Sequence, residues 1–249
     1  MIEVRNLTKA FPDGTLALND VNVTIPDGDF VAVIGLSGAG KSTFLRCLNR
    51  LVDPTSGSIL VGGQDVAPLS GRKLQLYRRT VGFVFQQFNL VTRLSVLDNV
   101  LHGRLGYHST FSGMLGLYTE DDYARARDAI RLVGLSEKED TRVSSLSGGQ
   151  QQRVAIARAI AQDPQLMLAD EPMASLDPRL SDVILGLLRG YNEEKGVSVL
   201  INIHVLEHAR RYCKNFLAFN RGRLVASGPI ADLTSELETE IYAGSLDAL

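Results

Sequence analysis

Short apolar runs and helically spaced apolar positions alternate along this chain, and their order predicts a mixed α/β architecture. Ile2 to Leu7 and Val21 to Ile25 carry strand patterns, the second with every other residue apolar. Together they predict a small antiparallel layer. The turn Pro26-Asp27-Gly28-Asp29 then leads into Phe30 to Ile34, a continuous apolar run suited to a strand buried on both faces. From Thr43 to Leu51 the apolar spacing is helical. After the turn Asp53 to Gly57 come a short strand, Ser58 to Val61, the turn Gly62-Gly63, and a basic helical stretch, Arg72 to Arg79. Val81 to Phe85 reads as a second buried strand, ending at Gln86 and Gln87.

Between Asn89 and Arg142 the texture becomes helical. Helix patterns at Ser95 to Leu101 and Glu120 to Val133 flank a glycine-rich spacer, Gly103 to His108, which predicts a helical insertion. Gln151 to Gln162 is a further helix, closed by Asp163-Pro164, and Leu166 to Ala169 is another buried strand. Ser175-Leu176-Asp177-Pro178 signals a helix that runs to about Lys195. A strand at Val197 to Asn202, a helix carrying Glu207, His208 and Arg211, a hairpin through Phe216 to Ala226 and a helical tail from Thr234 complete the prediction.

Composition narrows the function classes. Lysine and arginine number 26 and aspartate and glutamate 28, a net charge of −2, so no strong positive field draws the chain to nucleic acid. The opening residues lack a signal-peptide pattern and no apolar run reaches a membrane span, so a protein that is neither exported nor membrane-crossing is expected. Cys47 and Cys213 fall in predicted helices without metal-ligand spacing, which points to reduced thiols. His102 and His108 have no spaced carboxylate or cysteine partner, and solvated loop positions are expected for both.

The chemistry concentrates at Gly35 to Thr43, which fits G-x-x-x-x-G-K-[ST] between a strand and a helix. Gly35, Ser37, Gly38, Ala39 and Gly40 form a loop whose amides can converge on an anion. Lys41 adds an ammonium beside β and γ oxygens, Ser42 a hydroxyl for Mg²⁺, and the helix through Ser42 and Thr43 its positive dipole end. The expected ligand is a nucleoside triphosphate. A second anion site is expected at Leu146-Ser147-Gly148-Gly149-Gln150, where Ser147 caps a helix whose first turn is bared by two glycines.

Asp170 and Glu171 follow a buried strand directly. Asp170 there would orient the Mg²⁺ shell through water, and Glu171 would polarise an attacking water. Gln86 ends another strand, where α/β sheets bind ligands. His204 sits at a strand end within reach of a γ-phosphate, whereas His208 is expected to be solvated. Phe11, held beside the turn Pro12-Asp13-Gly14, is either a local core aromatic or a platform for adenine stacking.

The phosphate loop, Gln86, Leu146 to Gln150, Asp170-Glu171, Ser175 to Asp177 and His204 resemble, in order and spacing, the ATP-binding-cassette (ABC) ATPases, and the likeness covers nearly the whole chain. The resemblance implies one α/β domain over 1–249. In it, 1–88 and 163–249 form a phosphate-loop NTPase core with an N-terminal antiparallel β layer, and 89–162 form an inserted helical subdomain bearing the signature. It implies ATP and Mg²⁺ as ligands. Phe11 takes the adenine-stacking place that is usually a tyrosine, and Gln86 contacts Mg²⁺ and the attacking water and links to the membrane partner. It further implies a head-to-tail dimer in which each ATP lies between one copy's phosphate loop and the other's Ser147 to Gly149, with Gln150 and Asp177 at that seam.

Within the family, His102 to Gly106 through Leu115-Gly116, together with Leu168 to Leu176, is similar to the ATPases of phosphonate and phosphite importers; Val205 departs from their more polar residue. The implied function is an importer ATPase for a phosphorus oxyanion. Its implied partners are separate transmembrane permease subunits and, indirectly, an extracytoplasmic binding protein. Its implied place is the cytoplasmic face of the cell membrane. Two other readings are an importer ATPase for an amino acid such as methionine and a soluble non-transport cassette ATPase.

Overall fold

A computed structural model describes residues 1–174 and 176–242, with Thr110 described by its backbone alone. Strands β1 (Ile2–Ala10) and β2 (Leu16–Ile25) pair antiparallel and are followed by β3 (Phe30–Gly35), helix α1 (Lys41–Leu48), β4 (Ser56–Val61) and β5 (Gln64–Asp65). Helix α2 (Gly71–Arg79) leads to β6 (Val81–Val84). Helices α3 (Val96–Leu101), α4 (Thr110–Met114), α5 (Glu120–Leu132) and α6 (Gly148–Ala161) come next. Then follow β7 (Leu166–Ala169), α7 (Pro178–Lys195), β8 (Ser198–Asn202), α8 (Leu206–Tyr212), β9 (Asn215–Asn220), β10 (Arg223–Pro229) and α9 (Ser235–Tyr242).

Two sheets result. The first, ordered β2-β1-β4-β5, is antiparallel and is the predicted N-terminal layer. The second runs β10-β9-β3-β8-β7-β6; its inner strands are parallel and β10 alone turns back against β9. Every residue of β3, β6, β7 and β8 is buried, as a parallel sheet covered on both faces requires. One core fills the space between the two sheets around α1, where the rings of Phe44 and Phe219 lie 5.0 Å apart. The other joins the opposite face of the large sheet to α3, α5, α6 and α7.

Most predicted elements form with ends shifted by one to three residues, and some readings need correction. The spacer Gly103 to His108 is not a loop: His102–Tyr107 is a 3-10 turn and α4 follows it. Gly103 serves close approach, since a Cβ there would stand 2.2 Å from the Arg158 carbonyl oxygen. His108 is not solvated. Its Nε2 lies 2.8 Å from Asp122 Oδ2, a partner supplied by the fold rather than by spacing. His102 is half-buried, and burial followed by the Arg158 charge pushes its pKa down.

Helix α6 begins at Gly148, three residues earlier than expected, because Ser147 and Gln150 close a reciprocal capping box. Cys213 lies just past α8 rather than within it; both cysteines are free and buried. Ser175, part of the helix-start reading, and the last seven residues of the predicted tail, 243–249, lie outside the described residues.

Candidate functional site

The loop between β3 and α1 is shaped by its neighbours. At Gly40 φ is +102° and a Cβ would stand 2.4 Å from the Ala17 carbonyl oxygen, so only glycine lets β2 pass this closely. At Gly38 an added Cβ meets no atom within 4 Å, which leaves one face of the loop open. That face borders a cavity of about 410 Å³ walled by Phe11, Ser37, Lys41, Ser42, Glu171 and Arg221, among others. Helix α1 has no side-chain cap at Gly40, so its first amides are available to an anion.

Lys41 is 4% exposed, and its Nζ donates to the carbonyl oxygens of Gly35 and Leu36, both at 2.8 Å. Burial pushes its pKa below the usual lysine range, against the pull of Glu171 and then Asp170. Phe11 is half-buried at the cavity edge, with Lys9 Nζ 5.0 Å from its ring centroid. It is a wall of this cavity rather than a buried core ring.

Parallel pairing assembles the acidic end of the site. The β7–β8 register sets Ala169 opposite Ile201, so Asp170 and Asn202 emerge side by side. Asp170 is 2% exposed, accepts from Ser42 Oγ at 2.7 Å and Asn202 Nδ2 at 3.1 Å, and pairs with Arg46 at 3.1 Å. Glu171 sits in the left-handed region, φ +50°, a strained backbone for a non-glycine residue. Its Oε1 lies 2.7 Å from His204 Nε2.

The fold thus gathers Lys41, Ser42, Asp170, Glu171 and His204. Neither Gln86 nor Ser147 to Gln150 nor Asp177 lines the cavity. Gln86 is exposed beyond the end of β6. The Ser147 hydroxyl accepts from Gln150 N, and a Cβ on Gly149 would stand 2.7 Å from Leu180 Cδ1, so this turn is fitted closely to α7. Asp177 caps α7, accepting from Leu180 N at 3.0 Å. His208 is not solvated as expected: half-buried, it lines a separate cavity of about 360 Å³ behind Glu171, and its Nδ1 is buried without a partner among the described residues.

Sequence reasoning missed Arg46, Asn202 and Arg221. Arg46 is legible in hindsight, one helical turn after Ser42 and so on its face of α1. Asn202 and Arg221 owe their places to strand order, which no local pattern carries.

The open loop face, the uncapped helix start and Lys41 fit a polyphosphate. A hydroxyl beside a buried carboxylate is an oxygen donor set that suits a hard divalent cation such as Mg²⁺.

Comparison with known proteins agrees with this geometry. The family model described as ABC transporter matches residues 18–174. The phosphonates import ATP-binding protein PhnC of Staphylococcus haemolyticus is 46% identical over 98% of this chain and 95% of its own length. A PhnC of Halalkalibacterium halodurans is 47% identical over 97% and 99%. Among solved structures, a dimeric ATP-binding cassette in a post-hydrolysis state with ADP and Pi superposes with a TM-score of 0.81 at 34% identity, over 92% of this chain and 99% of that one. The ADP conformation of another ABC transporter cassette gives 0.85 at 26% identity, over 98% of each.

Proposed function

This chain belongs to the ABC transporter family, and on that premise we propose that it is the ATP-hydrolysing subunit of an importer for phosphonates or a related phosphorus oxyanion. The observation that carries the substrate class is identity of 46–47% to phosphonates import ATP-binding proteins along almost the full length of both chains.

In this reading Gly35 to Thr43 and Lys41 hold the triphosphate, Phe11 supports the adenine, and Glu171 takes the proton of the attacking water. His204 holds the Glu171 carboxylate in place through their 2.7 Å contact. Ser42, with Asp170 behind it, would hold Mg²⁺, which neutralises charge on the phosphates when bound, and Gln86 would join them only by moving in from outside the cavity. Asp170 acts through the Ser42 hydroxyl, since its own oxygens are already engaged by Ser42, Asn202 and Arg46.

We read Ser147 to Gln150 and Asp177, which lie outside this cavity, as serving a second copy's nucleotide in a head-to-tail dimer, a reading supported by the dimeric cassette on which the chain superposes. Residues 1–88 and 163–249 act as the catalytic core and 89–162 as the helical subdomain. No helix of the described residues is long and apolar enough to cross a membrane. The passage itself we assign to separate permease subunits, as likeness to import ATP-binding proteins suggests, with this chain bound at their cytoplasmic side and a binding protein acting across the membrane.

The test is reconstitution with the permease subunits that co-purify with it. ATPase stimulation by a binding protein loaded with phosphonate or phosphite supports the reading; stimulation only by one loaded with methionine overturns the substrate class.

A further inference from the structure

The stretch from Val66 to Thr119 is basic, although the chain as a whole is slightly acidic. Six lysines and arginines stand there against a single carboxylate, Asp98, in a chain of net charge −2. Helix α2 concentrates four of these cations, Arg72, Lys73, Arg78 and Arg79, and has no acidic residue. Arg72, Gln75 and Arg79 fall in one row along it, at spacings of three and four. Gln75 and Arg79 line a cavity of about 600 Å³ that Leu105, His108 and Met114 line from the other side. The Arg79 guanidinium lies 4.5 Å from the Tyr107 ring centroid, which ties α2 to the 3-10 turn ahead of α4.

Helix α4 is short but closed at both ends. Ser109 caps it, its hydroxyl accepting from Ser112 N at 3.2 Å. Beyond it Gly116 turns the chain at φ +64°; Gly116 N donates to the Gly113 carbonyl oxygen at 3.2 Å and Leu117 N to that of Ser112 at 3.0 Å. That pair is a Schellman stop, and it holds the turn in shape. Gly113 faces inward, where a Cβ would stand 3.2 Å from Leu105 Cδ2. Phe111, Met114 and Leu115 share a face at i, i+3 and i+4, and with Leu117 they are 56–83% exposed. An apolar tip that is capped at both ends and still held in water marks an interaction surface.

We infer that α4 and α2 form a foot that rests on an anionic bilayer, with the α4 tip in the headgroup boundary and the α2 cations on the lipid phosphates around it. Charge selects the occupant. An apolar tip beside a basic helix without carboxylates complements a surface that is negative at its face and apolar beneath. Shape agrees, because the four side chains stand out from the turn and a fluid boundary needs no matching wall. This takes from the proposed function only a membrane within reach, and its test uses no permease, so either can fail without the other.

The chain has no tryptophan, so Phe111→Trp puts a single emitter on the tip. With phosphatidylglycerol vesicles its emission should shift to the blue and the protein should sediment with them. Phosphatidylcholine vesicles should bind it at least about tenfold more weakly, and added salt should weaken the phosphatidylglycerol binding. In the native background, Met114→Ser with Leu115→Ser, and separately Arg72→Gln with Lys73→Gln, should each lower phosphatidylglycerol binding by at least about tenfold. ATP hydrolysis in solution stays parental in both.

Parental vesicle binding in both double variants would overturn the proposal, as would a native chain that sediments no better with phosphatidylglycerol than without lipid. A native chain that ignores vesicles, with permease subunits lost from the Met114→Ser, Leu115→Ser protein, would overturn it in favour of a protein contact at the same tip. Should the serine pair not fold, the Arg72→Gln, Lys73→Gln protein and the Phe111→Trp emission decide.

Discussion

His204 and Glu171 meet across the tips of neighbouring strands, with Nε2 2.7 Å from Oε1. The imidazole is nearly half exposed, whereas Glu171 is largely covered, so the histidine reaches in from the open side of the site. A carboxylate on a left-handed backbone, tied at one oxygen, has little freedom left. Such restraint suits a group that must meet water at a fixed angle.

Replacing the carboxylate isolates its chemistry. Glu171→Gln keeps the shape and removes the base, so hydrolysis should slow by roughly 10²- to 10⁴-fold while ATP affinity is kept. Phosphate release in single turnover measures this. A parental rate would assign the base elsewhere.

His204→Ala should lower kcat by about 10²-fold through misplacement of Glu171, without a matching loss of ATP binding. Steady-state kinetics separates the two. An effect confined to KM would make His204 a nucleotide contact instead.

Lys41→Ala deletes a buried cation at the mouth of the loop. Charge-assisted hydrogen bonds to phosphate contribute roughly 1.5–3 kcal/mol each, so nucleotide affinity should fall by at least about tenfold. Calorimetric titration with a non-hydrolysable ATP analogue reads this directly; unchanged affinity would remove Lys41 from the binding set.

Asp122 makes the helical insertion sensitive to acid. Burial alone would raise its pKa, but hydrogen bonds from Arg104, Thr119 and His108 outweigh it and hold the carboxyl far below the usual range. A depressed folded pKa gives stability that is complete above the unfolded value, near ~4, and is lost as pH falls below it. Asp122→Asn should therefore cost roughly 3–5 kcal/mol at pH 7, with the gap to the parent narrowing steadily as pH falls below about 4. Urea unfolding at several pH values measures it; a constant gap would contradict the assignment.

How far the sequence foretold all this depended on distance along the chain. The strand Phe30 to Ile34, the glycine loop and α1 are contiguous, so pattern and motif specified them together. Asp170 and Glu171 were legible for the same reason, as the two residues directly after a four-residue apolar strand. The turn at His102–Tyr107 was not, because it is held by Arg104 on Asp122 and by Gly103 against Arg158, contacts that local glycine content disguises as a loop. Asn202 was missed likewise: it meets Asp170 only because β8 lies between β3 and β7. Two-residue β5 carries too little pattern to be seen at all.

In the proposed assembly two copies of this chain complete each other's nucleotide sites, the loop of one facing Ser147 to Gly149 of the other. The direct measurement is the mass of Glu171→Gln by light scattering with and without Mg·ATP. A monomer should become a dimer on adding Mg·ATP, and adding Ser147→Arg, which blocks the second anion site, should keep it monomeric. A Glu171→Gln protein that binds Mg·ATP and stays monomeric, alone and with its permease, would rule this assembly out.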